Sequence, residues 1–187
     1  MTRIVGGEFG GRTLRTPTGP VTRPTAEKIR AALGNALQAT GSLEGAAVLD
    51  LYAGSGALGL ELLSRGAASL VAVERDKAAL ETLRHNVSEL KVSSVEVLAG
   101  DVAVVLRRLA ARGTGSRFDV VVADPPYGLP DADLAEVLAA LVPLATPGAD
   151  VVVERGSRSA ALVWPPPIQE RRTKRYGDTL LCYGRLP

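Results

Sequence analysis

The segment Asp124-Pro125-Pro126-Tyr127 combines an acid, two prolines and an aromatic ring directly after the apolar run 118–123. Such a run predicts a buried strand, and ligands bind at the carboxyl ends of strands in open α/β sheets. A carboxylate and a proline-fixed backbone carbonyl can accept hydrogen bonds from a planar amino group, and a tyrosine ring can stack on its plane. The segment predicts chemistry on the amino group of a nucleobase, with Asp124, Pro125 and Tyr127 as catalytic residues.

A glycine-rich loop follows the first predicted strand of the main sheet and opens a predicted helix. The glycines of the run 48–59 have the spacing G-x-G-x-x-G, which taken alone is a weak indication of a dinucleotide site. Asp50 argues for another ligand, because it would repel a pyrophosphate but can reach an ammonium group, directly or through water. Glu74 ends the next strand, where it can accept hydrogen bonds from both hydroxyls of a ribose.

A third acid, Asp101, follows the next predicted strand and can accept a hydrogen bond from the amino group of an adenine. Acids for an amino-acid moiety, a ribose and an adenine together indicate S-adenosylmethionine (SAM) as the cofactor. Four acids at the tips of successive strands are costly to hold together unless a ligand or solvent receives them. The predicted cofactor-binding residues are Asp50, Tyr52, Ala53, Gly54, Ser55, Gly56, Glu74, Arg75, Asp101, Val102 and Asp124.

The order of the predicted elements indicates an α/β fold. From residue 45 onward, strands alternate with amphipathic helices, which is typical of βαβ units with a parallel sheet. The fifth of these strands is predicted at Ala149–Val153. Two further strands, Ile168–Arg175 and Thr179–Arg185, flank a tight turn and predict an antiparallel hairpin. We therefore expect seven strands, mostly parallel, with an antiparallel C-terminal pair.

The first 24 residues differ from the rest of the chain. Short strands are predicted at Arg3–Gly7 and Gly11–Arg15, and a proline-rich stretch that cannot be helical follows them. We predict a β-hairpin arm and linker over residues 1–24 and one domain over residues 25–187. Residues 1–30 hold six Lys and Arg against two acids, and a second basic run lies at 171–175. Basic clusters at both ends predict a polyanionic partner, although a solvated surface is the commoner meaning of one such run.

The composition argues against several other classes of protein. The single cysteine, Cys182, cannot form an internal disulfide, and with no cluster of metal-ligand residues we expect no metal. No apolar stretch reaches the roughly 18 residues of a transmembrane helix. The N-terminal residues lack the apolar core of a signal peptide. We expect a cytoplasmic monomer without a membrane partner.

The glycine loop together with Asp-Pro-Pro-Tyr after the fourth strand resembles the class I SAM-dependent amino-methyltransferases. Nearly the whole chain resembles one family among them, the RsmD type, which methylates guanine N2 in small-subunit ribosomal RNA. The matching segments are Arg3-Ile4-Val5-Gly6-Gly7, Gly11-Arg12-Thr13-Leu14, Thr22-Arg23-Pro24-Thr25, Lys28-Ile29-Arg30, the loop Asp50–Gly59 and the segment Asp124–Tyr127. One departure is Gly34, because the family usually carries a bulky aromatic residue just before Asn35.

This resemblance implies a Rossmann-like class I methyltransferase fold, with SAM as methyl donor and the 16S rRNA of an assembling 30S subunit as partner. The implied reaction methylates the exocyclic N2 of guanine 966 in that RNA. The phosphate contacts are predicted at Arg3, Arg12, Arg15, Arg23 and Lys28. Two alternatives stay open: methylation of another base, such as adenine at N6, and a non-catalytic RNA-binding module of ribosome assembly.

Overall fold

The computed structural model describes residues 1–17, 24–113 and 117–187. The strands are β1 (Thr2–Arg3), β2 (Thr13–Leu14), β3 (Ala47–Leu51), β4 (Ser69–Glu74), β5 (Val95–Ala99), β6 (Phe118–Ala123), β7 (Ala145–Gly156), β8 (Gln169–Tyr176) and β9 (Thr179–Arg185). The helices are α1 (Pro24–Ala39), α2 (Ala57–Ser64), α3 (Lys77–Leu90), α4 (Val102–Ala111) and α5 (Asp131–Leu141), with a short 3-10 turn at Val142–Leu144.

A seven-stranded sheet forms the centre of the molecule, in the order β5-β4-β3-β6-β7-β9-β8. The strands from β5 to β7 in this order are parallel, and β9 runs antiparallel to both of its neighbours. The strand order reverses between β3 and β6, which makes that point the topological switch of an open α/β sheet. The predicted fold class is therefore confirmed, including the antiparallel C-terminal pair.

The central strands are buried on both faces, which explains their continuous apolar runs. Val120 and Val122 pack in one apolar cluster with residues of α1, α2 and α3, whereas Val121 and Ala123 pack in a second cluster with residues of α4 and α5. Helices therefore cover both faces of the sheet. Within the described ranges, no helix has both the length and the apolar character that a membrane crossing requires.

Strand boundaries differ from the predictions at β7, at the N-terminal pair, and by one residue at each end of β8. β7 begins at Ala145 rather than Ala149, because Ala145 already pairs with Phe118 ahead of an irregularity in the register. The N-terminal strands β1 and β2 have only two residues each. Their connection is a hydrogen-bonded turn instead of extended strand, in which the N–H of Arg12 donates to the Phe9 carbonyl at 3.0 Å.

The N-terminal segment is packed onto the helices that flank the sheet. Ile4 and Leu14 are each 1% exposed and belong to the apolar cluster that includes α1 and α2. The fully buried carboxylate of Glu61, on α2, accepts the backbone N–H groups of Val5 at 2.6 Å and Gly6 at 3.0 Å. Glu61 therefore anchors the N-terminal segment, since a buried carboxylate needs such donors.

A second polar contact joins the N-terminal segment to the glycine loop. The Asn86 side chain, buried on α3, accepts the backbone N–H of Arg15 at 2.8 Å. Its amide group donates to the carbonyl of Arg15 at 3.0 Å and to the carbonyl of Ser55 at 2.9 Å. One side chain thus fixes both the end of β2 and the loop after β3.

Arg65 occupies the space that Gly34 leaves open. Its Nε lies 2.6 Å from the Glu61 carboxylate in a buried ion pair. A β-carbon at Gly34 would lie 2.6 Å from the Cδ of Arg65. The departure from the family pattern at residue 34 therefore has a structural counterpart, because an aromatic side chain there would collide with the arginine.

We expect Glu61→Ala to lower the free energy of unfolding by about 3 kcal/mol, because it leaves a buried arginine and two backbone N–H groups without their acceptor. Urea unfolding followed by circular dichroism would measure this change. Glu81→Ala, which removes an exposed carboxylate on α3, is the matched control and should stay within about 0.5 kcal/mol. A Glu61→Ala variant as stable as this control would contradict the anchoring role.

Candidate active site

Three of the predicted acids share one face of the sheet at the carboxyl ends of adjacent strands. Asp50 on β3 pairs in register with Ala72 on β4 and with Val122 on β6. Side chains alternate between the two faces of a sheet, so Glu74 and Asp124, each two residues further along, lie on the same face as Asp50. The parallel register thus gathers these acids at one edge.

A further acid in this row, Glu154, was missed by the sequence analysis. Val122 on β6 pairs with Val152 on β7, so Asp124 and Glu154 follow side by side at the ends of the two strands. The signal that could have found Glu154 was present, because this residue directly follows the apolar run 151–153. It is the same signal that identified the other acids.

The glycine loop between β3 and α2 is held in a strained, closely packed turn. Gly56 has a φ of 79° at the N-cap of α2, and a β-carbon there would lie 2.2 Å from Cδ1 of Leu83. Tyr52 has a φ of 63° although it is not a glycine, which costs on the order of 1 kcal/mol. The Ala53 N–H donates to the Val73 carbonyl at 2.9 Å, so the loop is fixed against β4.

Asp50 lies beneath this loop and is 1% exposed. Its Oδ2 accepts the Gly59 N–H at 2.9 Å, and a β-carbon at residue 59 would lie 2.8 Å from that oxygen. Burial raises the pKa of Asp50, the Gly59 hydrogen bond lowers it, and the charges of Asp124 and Glu74 raise it again, to about 7. Ionisation of Asp50 is therefore favoured when a cation approaches.

Glu74 and Asp101 are both fixed by backbone N–H groups. Glu74 accepts from Gly54 at 2.8 Å, from Arg75 at 2.7 Å and from Asp76 at 2.8 Å. Asp101 caps the N-terminus of α4, and its Oδ2 lies 3.8 Å from Nη1 of Arg75. The two carboxylates are therefore pre-positioned before any ligand arrives.

A cavity of about 220 Å³ lies between the glycine loop and the strand ends. Its lining consists of Tyr52, Glu74, Arg75, Val102, Asp124 and Pro126. All but Pro126 are among the predicted cofactor residues. Burial raises the pKa of Tyr52 to about 12, so its hydroxyl stays protonated as a donor. The structure thus brings five of the eleven predicted cofactor residues to the lining of one cavity, with Asp50 beneath the adjoining loop.

A second cleft shares Asp124 and Pro126 with this cavity. It has about 30 Å³ of free space, enough for the edge of a planar ring rather than for the whole ring. Its lining consists of Asp124, Pro125, Pro126, Tyr127, Leu129, Leu134, Glu154, Arg155, Gly156 and Ser159. Tyr127 is 90% exposed, so its ring is open to a ligand. Asp124 therefore lies in a wall that is common to the cavity and the cleft.

Asp124 and Glu154 influence each other's ionisation. Burial raises the pKa of Asp124 to about 6. Burial, and then the charge of Asp124, raises the pKa of Glu154 to about 8, whereas the Thr179 hydroxyl and the Arg30 guanidinium lower it. Because like charges on neighbouring groups disfavour each other, the pair retains a proton near neutral pH.

Of the predicted RNA-binding residues, Arg15 lies near this edge, because Asn86 joins its backbone to the Ser55 carbonyl of the glycine loop. Arg3, Arg12, Arg15 and Lys28 are exposed on the N-terminal segment and α1, whereas Arg23 lies outside the described residues. Arg12 donates to the Glu89 carbonyl at 2.8 Å, and Arg3 lies 3.4 Å from the Glu27 carboxylate. The second basic run, Arg171–Arg175, lies on β8, which forms one edge of the sheet and is exposed there.

The described residues contain no evident set of ligands for a metal ion. Within residues 1–17, 24–113 and 117–187, no group of three or more His, Cys, Asp and Glu side chains is placed to hold an ion. The carboxylates at the sheet edge are instead spread along a row, each at the end of a different strand.

The fold is that of SAM-dependent methyltransferases. The magnesium protoporphyrin IX methyltransferase of Synechocystis PCC 6803, solved with bound SAM, superposes with a TM-score of 0.68 at 14% identity, covering 90% of this chain and 87% of that one. At this identity the likeness concerns the fold alone.

The family described as Conserved hypothetical protein 95 matches residues 2–185, and the chain belongs to this family. The Escherichia coli protein named Ribosomal RNA small subunit methyltransferase D is 39% identical over 125 residues, which are 67% of this chain and 60% of that relative. The aligned part is thus less than two thirds of the relative's length. The solved structure of yhhF from Escherichia coli has a TM-score of 0.80 at 31% identity and covers 98% of this chain and 97% of that one. The family resemblance stated from the motifs is therefore confirmed.

We expect Glu154→Gln to stabilise the unliganded protein at pH 8 but not at pH 5. The folded-state pKa of Glu154 is about 8 against 4.5 for an unperturbed glutamate, so between these values the folded protein holds a proton that the unfolded chain has released. Stability therefore falls as pH rises through this window. Glutamine does not titrate, so the variant does not lose stability over this pH range.

Urea unfolding of both proteins at pH 5 and pH 8 would measure the difference. Glu136→Gln, an exposed position on α5, is the matched control and should show no such pH dependence. An equal effect of Glu154→Gln at both pH values would show that the perturbed ionisation has been assigned to the wrong group.

Proposed function

We propose that this protein transfers a methyl group from SAM to the exocyclic N2 of a guanine in 16S ribosomal RNA, at guanine 966, during 30S assembly. The observation that carries the proposal is the position of Asp124, which lines both the larger cavity and the cleft formed by Asp-Pro-Pro-Tyr. A carboxylate in that shared wall can hold an amino group against a methyl donor. The name of the Escherichia coli relative supports ribosomal RNA as the substrate.

The larger cavity fits SAM better than it fits a dinucleotide. Its neighbourhood offers carboxylates, and the glycine loop from Tyr52 to Gly59 contains no lysine or arginine that could bind a pyrophosphate. In this arrangement Glu74 accepts from the ribose hydroxyls, Asp101 and Arg75 lie towards the adenine, and Asp50 favours the cationic amino-acid end. Bound SAM supplies a methyl group on a sulfonium, which is already a good leaving group.

The protein's contribution to the reaction is mainly positioning and charge. Asp124 and the carbonyl of Pro125 accept the two N–H groups of the exocyclic nitrogen, so that its lone pair faces the methyl donor. Tyr127 covers the face of the base, which must leave its stack to reach the cleft. Positive charge that develops on the nitrogen faces Asp124, which stabilises it and can take up the proton that the methylated nitrogen releases. No covalent intermediate with the protein is required.

The exposed cations would hold the RNA backbone. Arg3, Arg12, Arg15 and Lys28 present charge on the N-terminal side, and Arg23 belongs to the same sequence cluster. We assign residues 1–24 to RNA contact and residues 25–187 to SAM binding and catalysis, in a cytoplasmic monomer. The basic edge strand β8 offers a second set of phosphate contacts.

Labelled SAM incubated with naked 16S rRNA, 30S particles and DNA would test the proposal against its alternatives. Methylation of RNA at guanine N2, mapped by mass spectrometry of nucleosides, is the expected result. Label in adenine N6 would instead indicate another amino-methyltransferase, and RNA binding without any transfer would indicate a non-catalytic assembly module.

We expect Asp124→Ala to lower kcat by about 10³-fold, because the amino group loses an acceptor that orients it in the transition state. RNA affinity should change little, since the phosphate contacts lie elsewhere. Transfer of labelled methyl groups to RNA would be measured under saturating SAM, with Asp133→Ala as the control at an exposed acid on α5. Near-normal turnover of Asp124→Ala would remove Asp124 from the mechanism.

We expect the double variant Arg12→Ala, Arg15→Ala to weaken RNA binding and to leave SAM affinity unchanged. Each lost phosphate contact should reduce the slope of log affinity against log salt by roughly 0.7–1. Titrations with RNA at several salt concentrations, and calorimetry with SAM, would measure the two affinities. Arg107→Ala, Arg108→Ala on α4, where both residues are exposed, is the matched control on the opposite side of the sheet. Equal weakening by both pairs would mean that the contact is not localised.

A further inference from the structure

Glu154 lies beside the catalytic segment, with the Thr179 hydroxyl as its hydrogen-bond donor within the protein. The register between β6 and β7 places it next to Asp124, and it lines the same cleft as Pro125 and Tyr127. In the part of the chain that the structure describes, Glu154 takes part in none of the ion pairs. The nearby guanidinium of Arg30 donates instead to the Thr2 hydroxyl at 2.7 Å.

The two neighbouring carboxyl groups differ from the acids at the cofactor end of the row. Glu74 accepts three backbone N–H groups and Asp50 accepts one. Within the described ranges, no backbone N–H donates to the carboxylate of Asp124, which is exposed, or to that of Glu154, which is half-buried. Two adjacent carboxyl groups without backbone donors can accept from a ligand that brings two N–H groups, and such donors favour the ionised forms of both.

The Watson–Crick edge of guanine carries two such donors side by side, at N2 and N1. Adenine has an acceptor at N1 and therefore brings no second N–H donor to this pair of carboxyl groups. Flipped bases are read through this edge by the enzymes that modify them. The cleft is narrow enough to take the edge of a base, while the exposed ring of Tyr127 remains outside to cover its face.

We infer that Glu154 accepts the N1–H of the target guanine while Asp124 accepts from N2, and that Glu154 thereby selects guanine over adenine. This role rests on the proposed function, because it concerns the substrate of the same site. Two contacts along one edge also fix the rotation of the base within its own plane, which a single contact to N2 leaves free. Glu154 thus both recognises the base and orients its amino group.

The side chain next along β7 is consistent with this assignment. Arg155 lines the same cleft and pairs through Nη2 with Asp131 at 2.6 Å. Its Nη1 is buried, and the structure gives it no hydrogen-bond acceptor among the described residues. The third group on the Watson–Crick edge of guanine is the O6 carbonyl, an acceptor. The lining of the cleft therefore includes a donor of the kind that O6 accepts.

The test compares guanine with two analogues that keep the 2-amino group but lack the N1–H. Synthetic RNA carrying guanine, 2-aminopurine or 2,6-diaminopurine at the mapped target would be ligated into 16S rRNA and reconstituted into 30S particles. Both analogues also lack the O6 carbonyl, so the part of the effect that depends on the side chain at residue 154 is the part that reports on N1. The wild-type enzyme, Glu154→Gln and the control Glu136→Gln would be compared by kcat/KM on each substrate.

For the wild-type enzyme and the control we expect a preference for guanine of about 10²-fold over each analogue, because a buried acceptor loses its donor. Glutamine at residue 154 keeps the size of the side chain but can turn its NH2 group towards the unprotonated N1 of the analogues. We therefore expect the preference of Glu154→Gln for guanine to fall by about tenfold or more. SAM affinity, measured by calorimetry, should be the same for all three proteins.

Three outcomes would contradict different parts of the proposal. If the wild-type enzyme transfers no methyl group to guanine, the proposed function itself fails. If it methylates guanine and both analogues equally well, the assignment of Glu154 fails while the proposed function stands. The assignment also fails if Glu154→Gln loses activity in equal proportion on every substrate, because that is the signature of a purely structural residue.

Discussion

The register of the parallel strands is the constraint on which the site depends, because it brings acids from distant parts of the chain to one edge of the sheet. The free-energy cost of placing these carboxylates together is offset by backbone hydrogen bonds to different extents along the row. At one end Glu74 is surrounded by backbone N–H donors, whereas at the other end Asp124 and Glu154 face a cleft and each other. Among the described residues, the carboxylate of Glu74 at the cofactor cavity thus has backbone N–H donors, whereas the carboxylates where a base would enter have none.

Much of the fold could be predicted from the sequence because its signals are local. β6 covers the apolar run 118–123 and β9 has the predicted bounds Thr179–Arg185, since the pattern of apolar residues marks each strand within its own segment. The anchoring of the N-terminal segment could not be predicted in this way. Glu61 and Asn86 contact partners 55 to 71 residues away, and neither position stands out in its own helix.

The candidate site was predictable to the extent that it follows one rule, an acid at or next to the carboxyl end of a buried strand. That rule found Asp50, Glu74 and Asp124, and applied to β7 it also finds Glu154. The sequence does not show which acids are neighbours, because that depends on which strands are adjacent in the sheet. Only the strand order shows that β6 lies between β3 and β7, and hence that Asp124 adjoins both cavities.

The position of Arg65 between two glycines limits how the N-terminal segment can be exchanged between members of the family. A β-carbon at Gly6 would lie 2.8 Å from Nη2 of Arg65, and one at Gly34 would lie 2.6 Å from its Cδ. Glu61 binds both this arginine and the backbone of the segment. The four positions therefore form a set that can diverge only together. A chimera that imports residues 1–17 from a relative with an aromatic residue at position 34 would need the matching surfaces of α1 and α2 as well.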